Sequence, residues 1–427
     1  MLIKYFKRYF GYTFWVALEQ VVFVGLPRLV IFPVAAYLLG KEEFGLFIFS
    51  LGIVMMIGKA PSAGLETGVI RHMMELEEPA RNILVSTGLR LCKIAMLIIV
   101  AIGIVVLGIV RYFWQIDPKI SWCLFALLIL LYSWNLFELQ MVRYRVERRF
   151  ALRTAWYSFL GAFLFIAIPA AVFGGVVGMA WGYTLGYPLT HILLSWRQRT
   201  LFRRTVYDSE MAGLLKRVWP HISIACILGL SSRYIYRIIL GAFYSYSDVA
   251  VFFGATNIIA LCMSPMNVLS LLLLSMLGGF ARLESVGKRQ RYTVLAAAIS
   301  IGVGAVLVVF FAGPLILSVI FPKFADESAR ILRWLVLVIP CQIAIAFSQP
   351  FVVKFGQTKF MPMLNLITLT VHLLPAVILI PKFGIKGTAI SYNIGYGLSA
   401  ISYLAVLAWT FKSSRQYDRR KLKIEKI

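Results

Sequence analysis

Apolar stretches of twenty or more residues recur along almost the whole length of this 427-residue chain. A helix of that length rises about 1.5 Å per residue and so crosses the roughly 30 Å hydrocarbon core of a bilayer. Inside lipid there is no water to satisfy backbone N–H and C=O groups, which leaves helices or closed barrels as the available spanning structures. Barrel strands alternate polar and apolar residues over about ten positions, a pattern absent here. The sequence therefore predicts an all-α integral membrane protein. Composition agrees: 60% of residues are hydrophobic and 14% charged, where a soluble chain carries about 25% charged residues.

Twelve spans are expected, at roughly 13–39, 44–63, 84–110, 120–142, 154–173, 176–195, 218–242, 248–275, 292–321, 329–351, 360–381 and 385–411. Pro27 and Pro33 can kink the first, and Pro340 and Pro350 the tenth. The connecting segments on one side hold about thirty Lys and Arg, against roughly seven on the other, which puts both termini in the cytoplasm. Arg143, Arg145, Arg148, Arg149 and Arg153 contribute most, followed by clusters at 197–204 and 419–423. The Arg-rich stretch 196–217 divides six helices from six. The expected organisation is an N-terminal six-helix lobe (1–195), a cytoplasmic linker (196–217), a C-terminal six-helix lobe (218–411) and a basic cytoplasmic tail (412–427), the two lobes being pseudo-symmetric around a central cavity.

The net charge of +25 would suggest nucleic acid in a soluble protein. In a polytopic chain it is the positive-inside signal, with anionic headgroups nearby, so no nucleic-acid partner is expected. Cys92, Cys123, Cys226, Cys262 and Cys341 all fall in apolar spans without a CxxC pair and read as small buried hydrophobes. No cleavable signal peptide is evident. Nothing resembles a hydrolase nucleophile with its base, a metal cluster or a phosphate-cradling loop, so no metal or cofactor is expected, and the chain does not read as an enzyme.

Two arginines, Arg28 and Arg233, lie deep inside expected spans, 205 positions apart. At the same offset Glu43 falls on Asp248, Leu46 on Val251 and Phe47 on Phe252. A second pairing relates Gly178-Met179-Ala180-Trp181-Gly182-Tyr183-Thr184-Leu185-Gly186-Tyr187 to Gly387-Thr388-Ala389-Ile390-Ser391-Tyr392-Asn393-Ile394-Gly395-Tyr396, at an offset of 209. Six helices repeated as six, with both copies starting inside, are parallel repeats about an axis along the membrane normal.

A charge at mid-bilayer costs about 2.5–3.5 kcal/mol on insertion scales. Arg28 and Arg233, with Arg237 one turn beyond, are therefore candidates for binding an anion rich in oxygens, since the planar guanidinium meets phosphate or pyrophosphate bidentately. The alternative is that each snorkels or caps carbonyls of a broken helix. Arg71, in a second group with Glu66, His72, Arg90, Lys93 and Glu138, is a further candidate, while Arg90 and Lys93 read more readily as snorkelling residues. Glu19, Glu138 and Glu66 could couple transport to Na⁺ or H⁺, or balance a nearby cation. His372 in the eleventh span reads as a packing residue. Asn135, Gln140, Asn257, Asn267, Gln342 and Asn365 could bond sugar hydroxyls or neighbouring helices.

Three stretches carry a family resemblance. Leu38-Leu39-Gly40-Lys41-Glu42-Glu43-Phe44-Gly45-Leu46 looks like a family turn after the first helix: a leucine–glycine pair, an acidic doublet, then an aromatic and a glycine. Gly64-Leu65-Glu66-Thr67-Gly68-Val69-Ile70-Arg71 is similar to the stretch that closes helix two, and the glycine/alanine motif of helices six and twelve is the third. Along essentially the whole chain the sequence resembles the O-antigen (Wzx-type) polysaccharide flippases of the multidrug/oligosaccharidyl-lipid/polysaccharide exporter superfamily; Lys41 stands where a proline often occurs.

The resemblance implies two six-helix lobes in a V and alternating access. The implied cargo is an undecaprenyl-pyrophosphate-linked oligosaccharide, crossing the bacterial inner membrane. Its implied partners are that lipid-linked oligosaccharide, membrane lipids, and a polysaccharide polymerase with its chain-length regulator. A multidrug or cationic-solute exporter of the same superfamily is the nearest alternative, and would want cavity-facing carboxylates. A membrane-bound polysaccharide polymerase would need a large outer loop, which this chain does not offer.

Overall fold

Three glycines in the left-handed region of backbone space divide helical runs of the computed structural model: Gly40 (φ 78°), Gly175 (φ 58°) and Gly384 (φ 57°). A side chain at these positions would be strained, so glycine lets the chain reverse between two helices with hardly a loop residue spent. The structure describes residues 14–15, 17–21, 25–73, 76–198, 207–277, 288–355 and 361–424. Residues 199–206 of the expected linker lie outside this set.

The described helices are α1 (Phe32–Ile57, broken at Gly40 and entered through a π-helical turn, Pro27–Ile31), α2 (Ala60–Met73), α3 (Glu78–Trp114), α4 (Pro118–Val146), α5 (Phe150–Leu164), α6 (Ala167–Arg197, broken at Gly175), α7 (Ser209–Phe243), α8 (Tyr246–Leu277), α9 (Lys288–Phe311), α10 (Gly313–Ile320), α11 (Ala325–Leu335), α12 (Val338–Phe355) and α13 (Met361–Ile424, broken at Gly384). Among the described residues seven helices are long and apolar enough to cross a membrane, and nine if the two pairs bent by 57° each count as one span. With the glycine breaks taken into account, this is consistent with the twelve expected spans. The helix starts obey local rules. Asp117 accepts from the Lys119 N–H ahead of Pro118, Asp208 from those of Glu210 and Met211, and Ser245 exchanges hydrogen bonds with Asp248.

The internal repeat is visible in backbone geometry. Gly175 and Gly384, 209 positions apart, share nearly the same conformation (ψ −144° and −132°). Three residues after each, a Cβ would overlap a carbonyl oxygen eight residues back: Gly178 on Ala170, Gly387 on Leu379. The paired tyrosines follow suit, Tyr183 with Tyr187 at 6.3 Å and Tyr392 with Tyr396 at 4.7 Å between ring centroids. At the 205 offset, Phe47 and Phe252 are both fully buried.

Contacts divide the chain into two compact units, Met1–Phe253 with Ile320–Phe324, and Gly254–Val319 with Ala325–Ile427. The first unit thus includes α7 and the first turns of α8. The helices α1 and α2 run along the start of α8 and along α7 through small residues: a Cβ at Gly45 would overlap the Tyr246 carbonyl of α8, at Gly64 would come 2.5 Å from the carbonyl of Trp219 in α7, and at Gly68 2.8 Å from Leu215. Such close approach is how transmembrane helices gain packing where lipid supplies no hydrophobic drive. The second unit centres on Phe351, Val352, Leu364, Tyr403 and Leu407, from α12 and α13.

Candidate functional site

The chain breaks once more between α1 and α2, at Gly58 (φ 49°). A break within a span frees backbone groups that lipid cannot satisfy. Asn135 of α4 takes up both ends, its Nδ2 donating to the Gly58 carbonyl (3.0 Å) and its Oδ1 accepting from the Ser62 N–H (3.0 Å). The break exposes Lys59, whose ammonium lies 3.5 Å from Glu138, one turn along α4 from Asn135.

Glu138 is the hub of a buried network. Its Oε1 accepts from the Tyr157 hydroxyl (3.0 Å) and from the Trp134 indole (3.2 Å). Arg153 stacks over Tyr157, at 5.3 Å from the ring centroid, and pairs with Glu19 at 3.1 Å. Thr154 ties the same turn of α5 to the segment ahead of α1 by donating to the Trp15 carbonyl (3.1 Å). Two carboxylates and two cations are thus joined through one phenol, with Glu138 only 5% exposed. Glu19 and Glu138 thus each have a cationic partner.

The candidate arginines stand elsewhere in the first unit. Arg28 is half-buried within the π-helical turn, a form of helix often found at functional positions. One turn on, Phe32 meets Phe253 at 5.5 Å and Tyr183 at 5.7 Å. The half-buried Arg237 lies 5.0 Å over the Phe253 ring and 5.2 Å over Tyr234. The turn of Arg28 and the head of Arg237 therefore converge on one aromatic cluster, which extends through Phe44 to Phe321 and Phe324. Arg233, one turn before Arg237, is exposed, as is Arg71 in the last turn of α2. Glu66 is buried, and its Oε1 has no hydrogen-bond partner among the described residues.

Three side chains of the network escape sequence reasoning. Arg153 counts among loop arginines by position, yet α5 begins at Phe150 and turns it inward, to 14% exposure. Lys59 sits inside an expected span directly after a glycine, which is the signal that could have marked it. Tyr157 follows Arg153 by one helical turn, an (i, i+4) pair readable only once the helix start is known. Several candidate sugar-binding groups bond helices instead: Asn135 as above, Gln140 to Ser195 and His191, and Asn365 to Tyr403. Asn267 lies outside the described side chains. His372 is buried, edge-on to Tyr396 at 4.8 Å.

The turn that carries the strongest family resemblance is a packing device. Gly40 reverses the chain, Glu43 accepts from Lys119 (2.6 Å), Phe44 is fully buried among phenylalanines, and Gly45 seats the Tyr246 backbone.

No protein-family model matches the sequence, and no curated protein sequence matches it. Solved structures do match. The chain is similar to an inward-facing multidrug resistance MATE family transporter of the MOP superfamily (TM-score 0.71, 14% identity, covering 92% of this chain and 99% of that one). It is similar also to the lipid II flippase MurJ in an inward closed conformation (TM-score 0.73, 11% identity, 92% and 87%). A third is a MOP superfamily transporter from Pyrococcus furiosus described as having a binding pocket of reverse polarity (TM-score 0.59, 15% identity, 94% and 92%). At these identities the likeness establishes the fold: an all-helical, multi-pass membrane fold shared with MOP-superfamily transporters.

Proposed function

We propose that the protein is a flippase. Its cargo would be an undecaprenyl-pyrophosphate-linked oligosaccharide, an O-antigen or similar surface-polysaccharide repeat unit, carried across the bacterial inner membrane by alternating access. No bond is made or broken in such a step. The work is to give a pyrophosphate and its sugars a polar path while the polyprenyl tail stays in lipid.

The observation that carries this reading is the division of charge within the first unit. Glu19 and Glu138 are each held by a cation, Arg153 and Lys59. Arg237 lies over Phe253, which also meets Phe32 one turn after Arg28, and Arg233 is exposed one turn before Arg237. With Glu19 and Glu138 each beside a cation, three further arginines in the same unit favour an anionic head over an organic cation. Ion coupling, by Na⁺ or H⁺, would fall to Glu66 or to the Glu19–Glu138 network, and a polymerase with its chain-length regulator would take up the product.

A second reading, a multidrug or cationic-solute exporter, is favoured by the same aromatic cluster, since Phe32, Tyr183 and Phe253 could hold a flat cation by its face. Complementation of a strain lacking its own polysaccharide flippase separates the two. Arg28→Ala and Arg233→Ala are expected to leave the protein inserted and to reduce surface polysaccharide roughly tenfold or more, the worth of a charge-assisted hydrogen bond. The lysine variants should retain part of the activity if charge suffices and little if the bidentate fork is needed. Full surface polysaccharide in both alanine variants, together with export of a cationic dye, overturns the flippase reading in favour of the exporter.

A further inference from the structure

A groove of about 610 Å³ opens on the outer flank of the first unit, where α3 passes the start of α7. Its size is that of an ordinary ligand pocket, roughly 300–1,000 Å³. α3 is the most apolar and least buried of the candidate spans, so its flank faces lipid. Most of such a face is convex; here it is hollowed.

The groove is divided by chemistry. One end carries two cations, Arg90 of α3 and Lys216 of α7, with the ring of Tyr207 5.1 Å beneath the Arg90 guanidinium. Neither cation is in an ion pair among the described residues. The other end is apolar, walled by Ile94 and Ile98, which are 48% and 54% exposed. Trp219 closes the floor, its indole N–H turned away to the Pro61 carbonyl (3.0 Å), so that the groove meets only its apolar face. From Arg90 to Ile98 the helix rises about 12 Å, close to the half-thickness of a roughly 30 Å hydrocarbon core. Tyr and Trp mark the headgroup level in such proteins.

We propose that this groove is a binding site for an anionic glycerophospholipid of the leaflet in which α3 and α7 begin. The phosphodiester would sit between Arg90 and Lys216, and one acyl chain would lie along Ile94 and Ile98. Two fixed cations above a slot one leaflet deep match a lipid with a net negative head, whereas a zwitterionic lipid would bring its own cation to the same place. The site does not depend on which cargo the protein moves.

Native mass spectrometry of the purified full chain in detergent tests the assignment, with phosphatidylglycerol and phosphatidylcholine of identical acyl chains as probes. The wild-type protein should retain phosphatidylglycerol preferentially. Arg90→Ala with Lys216→Ala should weaken that binding roughly thirty-fold, from about fivefold for each basic residue near an anionic head, and should erase the preference. Ile98→Trp should fill the slot and lower binding of both lipids. Because all three side chains are exposed, thermal unfolding without added lipid should not change; a variant that fails this control is replaced by Arg90→Gln with Lys216→Gln, for which the same loss is expected. Equal retention of the two lipids by the wild type overturns the proposal, as does undiminished phosphatidylglycerol binding by the double variant. So does displacement of the lipid by inorganic phosphate at millimolar concentration, or by farnesyl pyrophosphate in preference to phosphatidylglycerol, the second outcome assigning the groove to the cargo's head.

Discussion

In the first unit, α4 and α5 meet around charge: Glu138 binds Lys59, Tyr157 and Trp134, and Arg153 reaches back to Glu19. In the second, at the 209-residue offset that relates α6 to α13, the place of Glu138 is taken by Phe347. That phenylalanine faces Phe351 at 5.5 Å and flanks the apolar cluster of Val352, Leu364, Tyr403 and Leu407. At the 205 offset the exchange runs the other way, with Arg237 of the second copy answering Phe32 of the first and both lying against Phe253. Two copies of one backbone plan thus differ in what fills them. Apolar contacts hold a helix junction with little angular demand, whereas paired charges require their partners in place. A buried ionic network at one place and an apolar cluster at its counterpart let the two copies respond differently to a bound ion.

The largest expected effect comes from breaking the ionic hub. Glu138→Leu leaves Tyr157 and Trp134 without their acceptor and the partly exposed Lys59 without its partner, and should cost about 3 kcal/mol, as loss of several hydrogen bonds to a buried carboxylate does. Phe347→Leu, its counterpart, trims a partly buried ring and should cost about 1 kcal/mol. Thermal unfolding in detergent compares them; equal losses would mean that the network contributes no more than packing.

Where the halves share geometry they should instead behave alike. Gly178→Ala and Gly387→Ala each force a methyl into a carbonyl oxygen, and each should cost about 1–3 kcal/mol by overpacking. A clear difference between them would break the equivalence of the two helix pairs.

The smallest effect sharpens the hub. Tyr157→Phe keeps the ring under Arg153 but removes the hydroxyl that donates to Glu138, and should cost about 1 kcal/mol by the same assay. A cost near that of Glu138→Leu would place the phenol, not the lysine, at the centre of the network.

Much of the plan is legible in the residues. Span positions follow from apolar run length, and the repeat from Gly, Ala and Tyr matches that the structure turns into paired positive-φ glycines and ring contacts. The family-like turn at 38–46 is legible as a pattern but not as a purpose: only packing shows Phe44 and Gly45 holding α1 against α8. The network was half legible. Glu19 and Glu138 stand out as carboxylates in apolar sequence, whereas Arg153 hides in a basic loop because its helix start lies three residues earlier. Lys59 hides because a one-residue break at Gly58 is invisible until Asn135 is seen to bridge it.

By itself the sequence determined the solvent, the helices and the duplication, since these depend on run length and on matches along one dimension. Tertiary structure decided which carboxylate meets which cation and which charges are buried. A side chain's partner depends on helix breaks, rotation and close approach, and those are set by contacts between residues as far apart as Glu19 and Arg153 or Gly45 and Tyr246.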